Sequence, residues 1–135
     1  TLDGLEQAKK LCRLRLAFNL RLTDISALAC VKDTLTELEI QNCGKIKDFS
    51  VLSQLHRLEC LRMLGTNVIP DVAFLRSMPN LKKFVFTMNA ADGDMSACLN
   101  IPNVYIQNRR HYSHKNTDFS TQGTQGTQGD GFSVF

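Results

Sequence analysis

The chain repeats itself at an interval of 23 or 24 residues. Leu11, Leu35, Leu58, Leu81 and Val104 stand 24, 23, 23 and 23 residues apart, and setting them in one column brings other positions into line. Three residues on come Leu14, Leu38, Leu61 and Phe84; five residues on come Leu16, Ile40, Met63 and Phe86, so each unit opens on the pattern LxxLxL. The eighth offset gives Asn19, Cys43, Thr66 and Asn89. Later columns hold Leu22, Ile46 and Ile69; Asp24, Asp48, Asp71 and Asp94; Ile25, Phe49, Val72 and Met95; and Leu28, Leu52, Leu75 and Cys98. A unit this short cannot bury its apolar face alone, so neighbouring units must stack on one another.

Alternation in each LxL run puts Leu14 and Leu16 on one face of a short strand and Arg13, Arg15 and Ala17 on the other. Stacked units then align their strands into one parallel sheet. Burying a large apolar side chain fully is worth roughly 1.5 to 3 kcal/mol, which makes stacking the dominant stabilising term. In "DISALACV", "DFSVLSQL", "DVAFLRSM" and "DMSACLNI" the apolar residues recur at intervals of three or four, the spacing of single turns of α or 3-10 helix. The aspartate column opens these turns. A metal-binding or acid-base row of aspartates is one account; the simpler one is capping, in which each carboxylate accepts a first-turn amide for about 1 kcal/mol. The run "DGDMSA" lacks the later glutamate of a calcium loop.

The segments "LCRLRLAFN" with "LTDISAL" and "LTELEIQNC" with "IKDFSVL" resemble the leucine-rich repeat, most closely the bacterial internalin type and the related intracellular phosphatase-regulator type. The resemblance covers Leu2 to Val104 and implies an α/β solenoid: a curved parallel sheet on the concave side, short helical turns on the convex side, about four strands and a terminal cap. It also implies a ladder of side chains at Asn19, Cys43, Thr66 and Asn89, bonding the backbone groups left without strand partners where the chain turns away from the sheet. Buried unpaired groups of that kind cost about 1 to 3 kcal/mol each. In that register Cys43 is a small buried thiol rather than a nucleophile, although Lys45 and Lys47 stand close by in sequence. Cys43 and Thr66 depart from the commoner asparagine, and the units are longer than the roughly 22 residues these types favour.

These columns divide the chain. Residues 1–118 form the repeat domain, with a partial first repeat at 1–10, repeats starting at 11, 35, 58 and 81, and a C-terminal cap at 104–118. Residues 119–135, carrying "STQGTQGTQGDGF", are a low-complexity tail expected to be disordered. Leu2, Leu5 and Ala8 match the closing columns of a unit whose strand is missing, so "LDGLEQAKK" is either a minimal helical cap or the end of further repeats before Thr1. After Val104 the LxL pattern stops, with Gln107 and Arg109 at positions that should be apolar, as expected of a last strand with a polar outer face.

Sixteen basic and thirteen acidic residues leave a net charge of +3, too mild to require nucleic acid or an anionic membrane as partner. Five cysteines without a CxxC pair argue against zinc and against a secreted disulfide framework, and point to a reducing, cytoplasmic setting. No apolar run reaches the roughly 18 residues of a membrane span. His111 and His114 have i, i+3 spacing but no cysteine or carboxylate beside them, and no Ser-His-Asp order or glycine-rich phosphate loop stands out. The chain is therefore read as non-enzymatic, with no cofactor and no metal.

Function is left to the outward strand positions, which the fold does not fix. Arg13, Glu37, Cys60 and Lys83 form one row, Arg15, Glu39, Arg62 and Val85 the next, then Ala17, Gln41, Leu64 and Thr87, then Phe18, Asn42, Gly65 and Met88. A mixed-sign face edged by Phe18, Leu64 and Met88 suits a protein partner, and the expected partner-binding set is Arg13, Arg15, Phe18, Glu37, Glu39, Gln41, Arg62, Leu64, Lys83 and Met88 on a monomer. Two alternatives stand beside it: a structural spacer within a longer array, and nucleic-acid binding through Arg109, Arg110 and Lys115 in the basic stretch "NRRHYSHKN".

Overall fold

The structure, a computed structural model, describes Leu2, residues 4–8 and residues 10–119. Five strands form a parallel sheet in the order β1 (Arg13–Ala17), β2 (Glu37–Gln41), β3 (Cys60–Leu64), β5 (Lys83–Phe86) and β7 (Asn103–Ile106). Two short strands, β4 (Val68–Ile69) and β6 (Asn89–Ala90), make a separate parallel pair where the chain leaves the main sheet. Between the strands run 3-10 turns at Ser26–Val31, Ser50–Gln54, Ala73–Ser77 and Ser96–Cys98. Consecutive turns pack on one another, so the molecule is an α/β arrangement of a sheet layer and a turn layer, solenoid-like in its repetition. The 3-10 form replaces the choice between α and 3-10 because each turn has only three to six residues.

The inward rows are the LxL positions. Leu38, Leu61 and Phe84 align along one row and Ile40, Met63 and Phe86 along the next, each at most 1% exposed. They meet Leu28, Val31, Leu52 and Leu75 of the turns in one continuous core. The rings of Phe84 and Phe86 stack with centroids 5.5 Å apart.

The last unit is registered differently from the repeat alignment. Val104 pairs with Phe84 and Ile106 with Phe86, so Val104 belongs with Leu14 rather than with Leu11, and Ile101 takes the anchor place. Only 20 residues separate Phe84 from Val104, against 23 between Leu61 and Phe84. The shortening follows Ser96–Cys98, the shortest of the turns between strands of the main sheet. Val104 and Ile106 are buried, so Gln107 and Arg109 lie past the end of β7 and do not occupy core positions.

The aspartates act as expected of capping groups, one position further out. Oδ1 of Asp24, Asp48, Asp71 and Asp94 accepts the amide of Ser26, Ser50, Ala73 and Ser96 at 2.8 to 3.0 Å. The residue directly before each turn is apolar and buried: Ile25, Phe49, Val72 or Met95. Core packing claims the cap position itself, so the carboxylate reaches over it.

The ladder at the strand exits is also shifted. Cys43 is fully buried, its Sγ 3.6 Å from the carbonyl oxygens of Leu16 and Gln41. In the third unit Thr66 is exposed and Asn67 takes the buried place, donating from Nδ2 to the carbonyls of Cys43 and Ile46, both at 3.1 Å. Gly65, at φ 139°, reverses the chain there, and Asn42 packs against it where a side chain would stand. Asn19 instead accepts the amides of its own loop, Arg21 and Leu22. In the fourth unit the Tyr112 hydroxyl serves, accepting the Ala90 amide at 3.0 Å and donating to the Met88 carbonyl at 3.2 Å.

Tyr112 comes from the segment that closes the array. Asn116 presents its side-chain amide to the open edge of β7, accepting from the Ile106 amide and donating to the Ile106 carbonyl as another strand would. Phe119, 7% exposed, joins the core; the rest of the glutamine- and glycine-rich tail lies outside the described residues.

Two measurements check these assignments. Asn67→Ala leaves the buried Ile46 carbonyl without its side-chain donor, while the Cys43 carbonyl keeps the Ile46 amide, and should lower unfolding stability by about 1 to 3 kcal/mol, whereas Thr66→Ala should change it by no more than about 0.5 kcal/mol, in urea titrations. Hydrogen bonds from the Ser26, Ser50 and Ser96 positions hold the carboxyls of Asp24, Asp48 and Asp94 below their ordinary 3.8. A depressed folded-state pKa contributes stability that is fully present above 3.8 and is lost as pH falls through the lower folded value. Replacing all three by asparagine should flatten the dependence of the urea midpoint on pH below 3.8 while leaving the region above it parallel to wild type.

Candidate functional site on the outward face of the sheet

Parallel pairing in register carries each outward residue directly beside its counterpart on the next strand. Arg13 stands by Glu37, with Nε 3.5 Å from Oε2, and Arg15 by Glu39, with Nε donating to Oε2 at 2.8 Å. Arg15 also donates from Nη2 to Oε1 of Gln41 at 3.0 Å. Two acceptors fix the planar guanidinium where one would leave it to swing. Together with Arg62 these side chains border a shallow depression of about 310 Å³. Arg13 and Glu37 are both well exposed, so their pair contributes no more than about 1 kcal/mol to stability, whereas Arg15 faces solvent over a Glu39 side chain that is only 15% exposed.

The structure brings Arg13, Arg15, Glu37, Glu39, Gln41, Arg62 and Lys83 together on this face, in the rows that strand alternation gives. It separates the expected apolar edge. Phe18 is 61% exposed, held at φ 55° where β1 ends. Leu64 is 6% exposed and Met88 is fully buried, so neither offers area to a partner. Phe18, Asn42 and Gly65 all adopt positive φ, while Met88 does not; its unit leaves the sheet by a different path and carries the side chain into the core.

Two outward residues escaped the repeat alignment. Once Val104 is in register with Phe84, Tyr105 falls beside Val85 and Asn103 beside Lys83. The run Ile101, Val104, Ile106 is itself an LxxLxL match and would have located them. The row across the sheet then reads Arg15, Glu39, Arg62, Val85, Tyr105, charged at one end and aromatic at the other. Val85 is 1% exposed and Tyr105 50%.

The basic C-terminal stretch is engaged internally. Arg109 Nη2 donates to the Thr87 carbonyl at 3.1 Å, and Lys115 Nζ to the carbonyls of Arg109 and Tyr112 at 2.9 and 2.8 Å. His111 Nε2 lies 3.0 Å from the Ala90 carbonyl. Among the described residues no three His, Cys, Asp or Glu side chains are grouped to hold a metal ion, and no helix is long and apolar enough to cross a membrane.

Thiol chemistry follows burial. Cys12 and Cys30 are exposed, Cys60 is half-buried on the outward face, and Cys43 and Cys98 are buried. Burial pushes the Cys60 thiol up, with the Arg62 guanidinium pulling the other way, and pushes Cys98 up to about 12. Maleimide labelling followed by peptide mass spectrometry should therefore modify Cys12 and Cys30 first, Cys60 slower by about tenfold or more, and Cys43 and Cys98 only on unfolding. No protein-family model matches this chain, and no curated protein matches it.

Proposed function

We propose that this chain is a leucine-rich-repeat module that binds a protein partner through the concave, outward face of its sheet, in the cytoplasm and without catalysis of its own. The observation that carries the reading is the row Arg15, Glu39, Arg62 and Tyr105, laid across neighbouring strands by the sheet register with the buried Val85 between Arg62 and Tyr105. Arginine and tyrosine are the side chains that most often anchor protein interfaces, and a rigid sheet holds them without the entropy cost of a mobile loop. The fork of Arg15 onto Glu39 and Gln41 presents its remaining donors in a fixed plane. Internal neutralisation by Glu37 and Glu39 favours a mixed-charge protein surface over a phosphate backbone. Bonding of Arg109 to the Thr87 carbonyl of the preceding repeat, and of Lys115 to the Arg109 carbonyl within the cap, supports a closing role for the basic stretch.

Capture from a lysate of the source with quantitative mass spectrometry tests the assignment. Arg15→Glu with Arg62→Glu should lower recovery of specific partners by about tenfold or more, while the charge-matched pair Arg57→Glu with Arg76→Glu, both on exposed positions of the turn side, should retain them. Equal recovery with the first pair would show that the partner binds elsewhere.

A further inference from the structure

The turn side of the third unit departs from its neighbours at three aligned positions. Pro70 stands where the other units have Thr23, Lys47 and Gly93; Ala73 where they have Ser26, Ser50 and Ser96; and Phe74 where they have Ala27, Val51 and Ala97. Stacking fixes the inward rows and leaves such positions free to vary. The result is a groove of about 420 Å³ between the second and third turns. Buried Phe49 and Ile69 and half-buried Phe74 give it an apolar lining, with Pro70 and Ala73 beside them. Its two aspartates are turned to the backbone, Asp48 accepting the Ser50 amide and Asp71 the Ala73 amide, each at 2.9 Å. The neighbouring depressions are built differently. Between the first and second turns the lining is mostly polar, with Thr23, Asp24, Ser26 and Ser50; between the third and fourth, Arg76 Nη2 donates to Ser96 Oγ at 3.1 Å and bridges the gap.

We propose that the groove between the second and third turns takes up a segment of this same chain, Phe132 to Phe135. Residues 120–131, which precede that segment, carry no large apolar side chain, whereas Phe132, Val134 and Phe135 are all apolar. Such side chains gain by leaving water, and the groove presents apolar surface to receive them. In an extended segment Phe132 and Val134 face one way and Ser133 the other, so the apolar pair meets Phe49, Ile69 and Phe74 while the hydroxyl stays in water. The chain is long enough. Phe119 is fixed in the core at the β7 end, and the 13 residues from there to Phe132 span up to about 45 Å when extended. β3 lies two strands from β7, roughly 10 Å along the stack, which leaves ample length for the crossing to the turn side. Because the segment is linked to its seat, its effective concentration there is on the order of millimolar, which a separate peptide must exceed to replace it. The groove is on the turn side, so the inference is independent of the outward-face reading.

Nuclear magnetic resonance of the full chain supplies the test. Cross-relaxation should connect the side chains of Phe132 and Val134 with those of Ile69 and Phe74, and the backbone order parameters of residues 132–135 should exceed about 0.6. Phe132→Ser, Val134→Ser and Phe135→Ser combined should shift the resonances of Ile69, Ala73 and Phe74 and leave those of Arg15 and Glu39 in place. Ala73→Arg fills the groove from an exposed position and should bring the order parameters of residues 132–135 below about 0.6, whereas Ser26→Arg, at the aligned exposed position of the first unit, should leave them unchanged. Order parameters already below that value in the unmodified chain, or groove resonances that ignore the triple serine variant, overturn the proposal. So does dimerisation in sedimentation that the triple variant abolishes, which would seat the segment in a second copy. Retention of order at residues 132–135 in a folded Ala73→Arg would place the segment elsewhere and overturn it as well.

Discussion

Each unit of this chain is too small to enclose an apolar interior, and the fold depends on neighbouring units burying one another's inward rows. Leu38, Leu61 and Phe84 are buried because each has a copy of its own position on both sides. Leu14, which among the described residues pairs only with Leu38, is half-buried. Stacking of this kind rewards exact repetition of size and hydrophobicity at a few positions and leaves the others unconstrained. The same geometry lines up the exposed rows, so the interaction that stabilises the interior also orders the surface.

Hydrogen bonding at the strand exits is the second demand, and no single residue type meets it. A thiol serves between the first two units, an amide between the second and third, and a phenol from the closing segment in the last. What the side chains share is a donor able to reach a carbonyl of the preceding unit from a buried position. The closing segment extends the logic to the sheet itself: Asn116 supplies the paired donor and acceptor that β7 would otherwise expose. The basic side chains around it, which look like a binding patch when read as a string, are largely occupied with carbonyls at this end.

On the outward face the Arg13–Glu37 pair contributes little to stability, because both partners are well exposed to water. Their effect is positional. Arg15 is held by two acceptors on the neighbouring strand, and the row beside it passes from charge through Val85 to Tyr105. Such a face differs from a merely soluble one in carrying its arginine and aromatic groups on the most rigid element available.

The amino-acid sequence alone determined the repeat, the inward and outward sides of each strand and the aspartate before each turn, because these rest on local periodicity: two residues per strand alternation, three or four per turn. It could not determine which residue fills a buried place at a bend. Thr66 and Asn67 are equally polar on paper, and only the carbonyls of Cys43 and Ile46, supplied by the preceding unit, select Asn67. The register of the last strand was legible in the LxxLxL run of Ile101, Val104 and Ile106 but was masked by a spacing three residues shorter after Phe84, and the pairing of Val104 with Phe84 across the sheet fixes it. Met88, two residues beyond Phe86, falls by alternation on the inward side and is buried there, while Leu64 is buried at the end of a row that alternation assigns to the surface. Contacts between residues 20 or more positions apart make these choices.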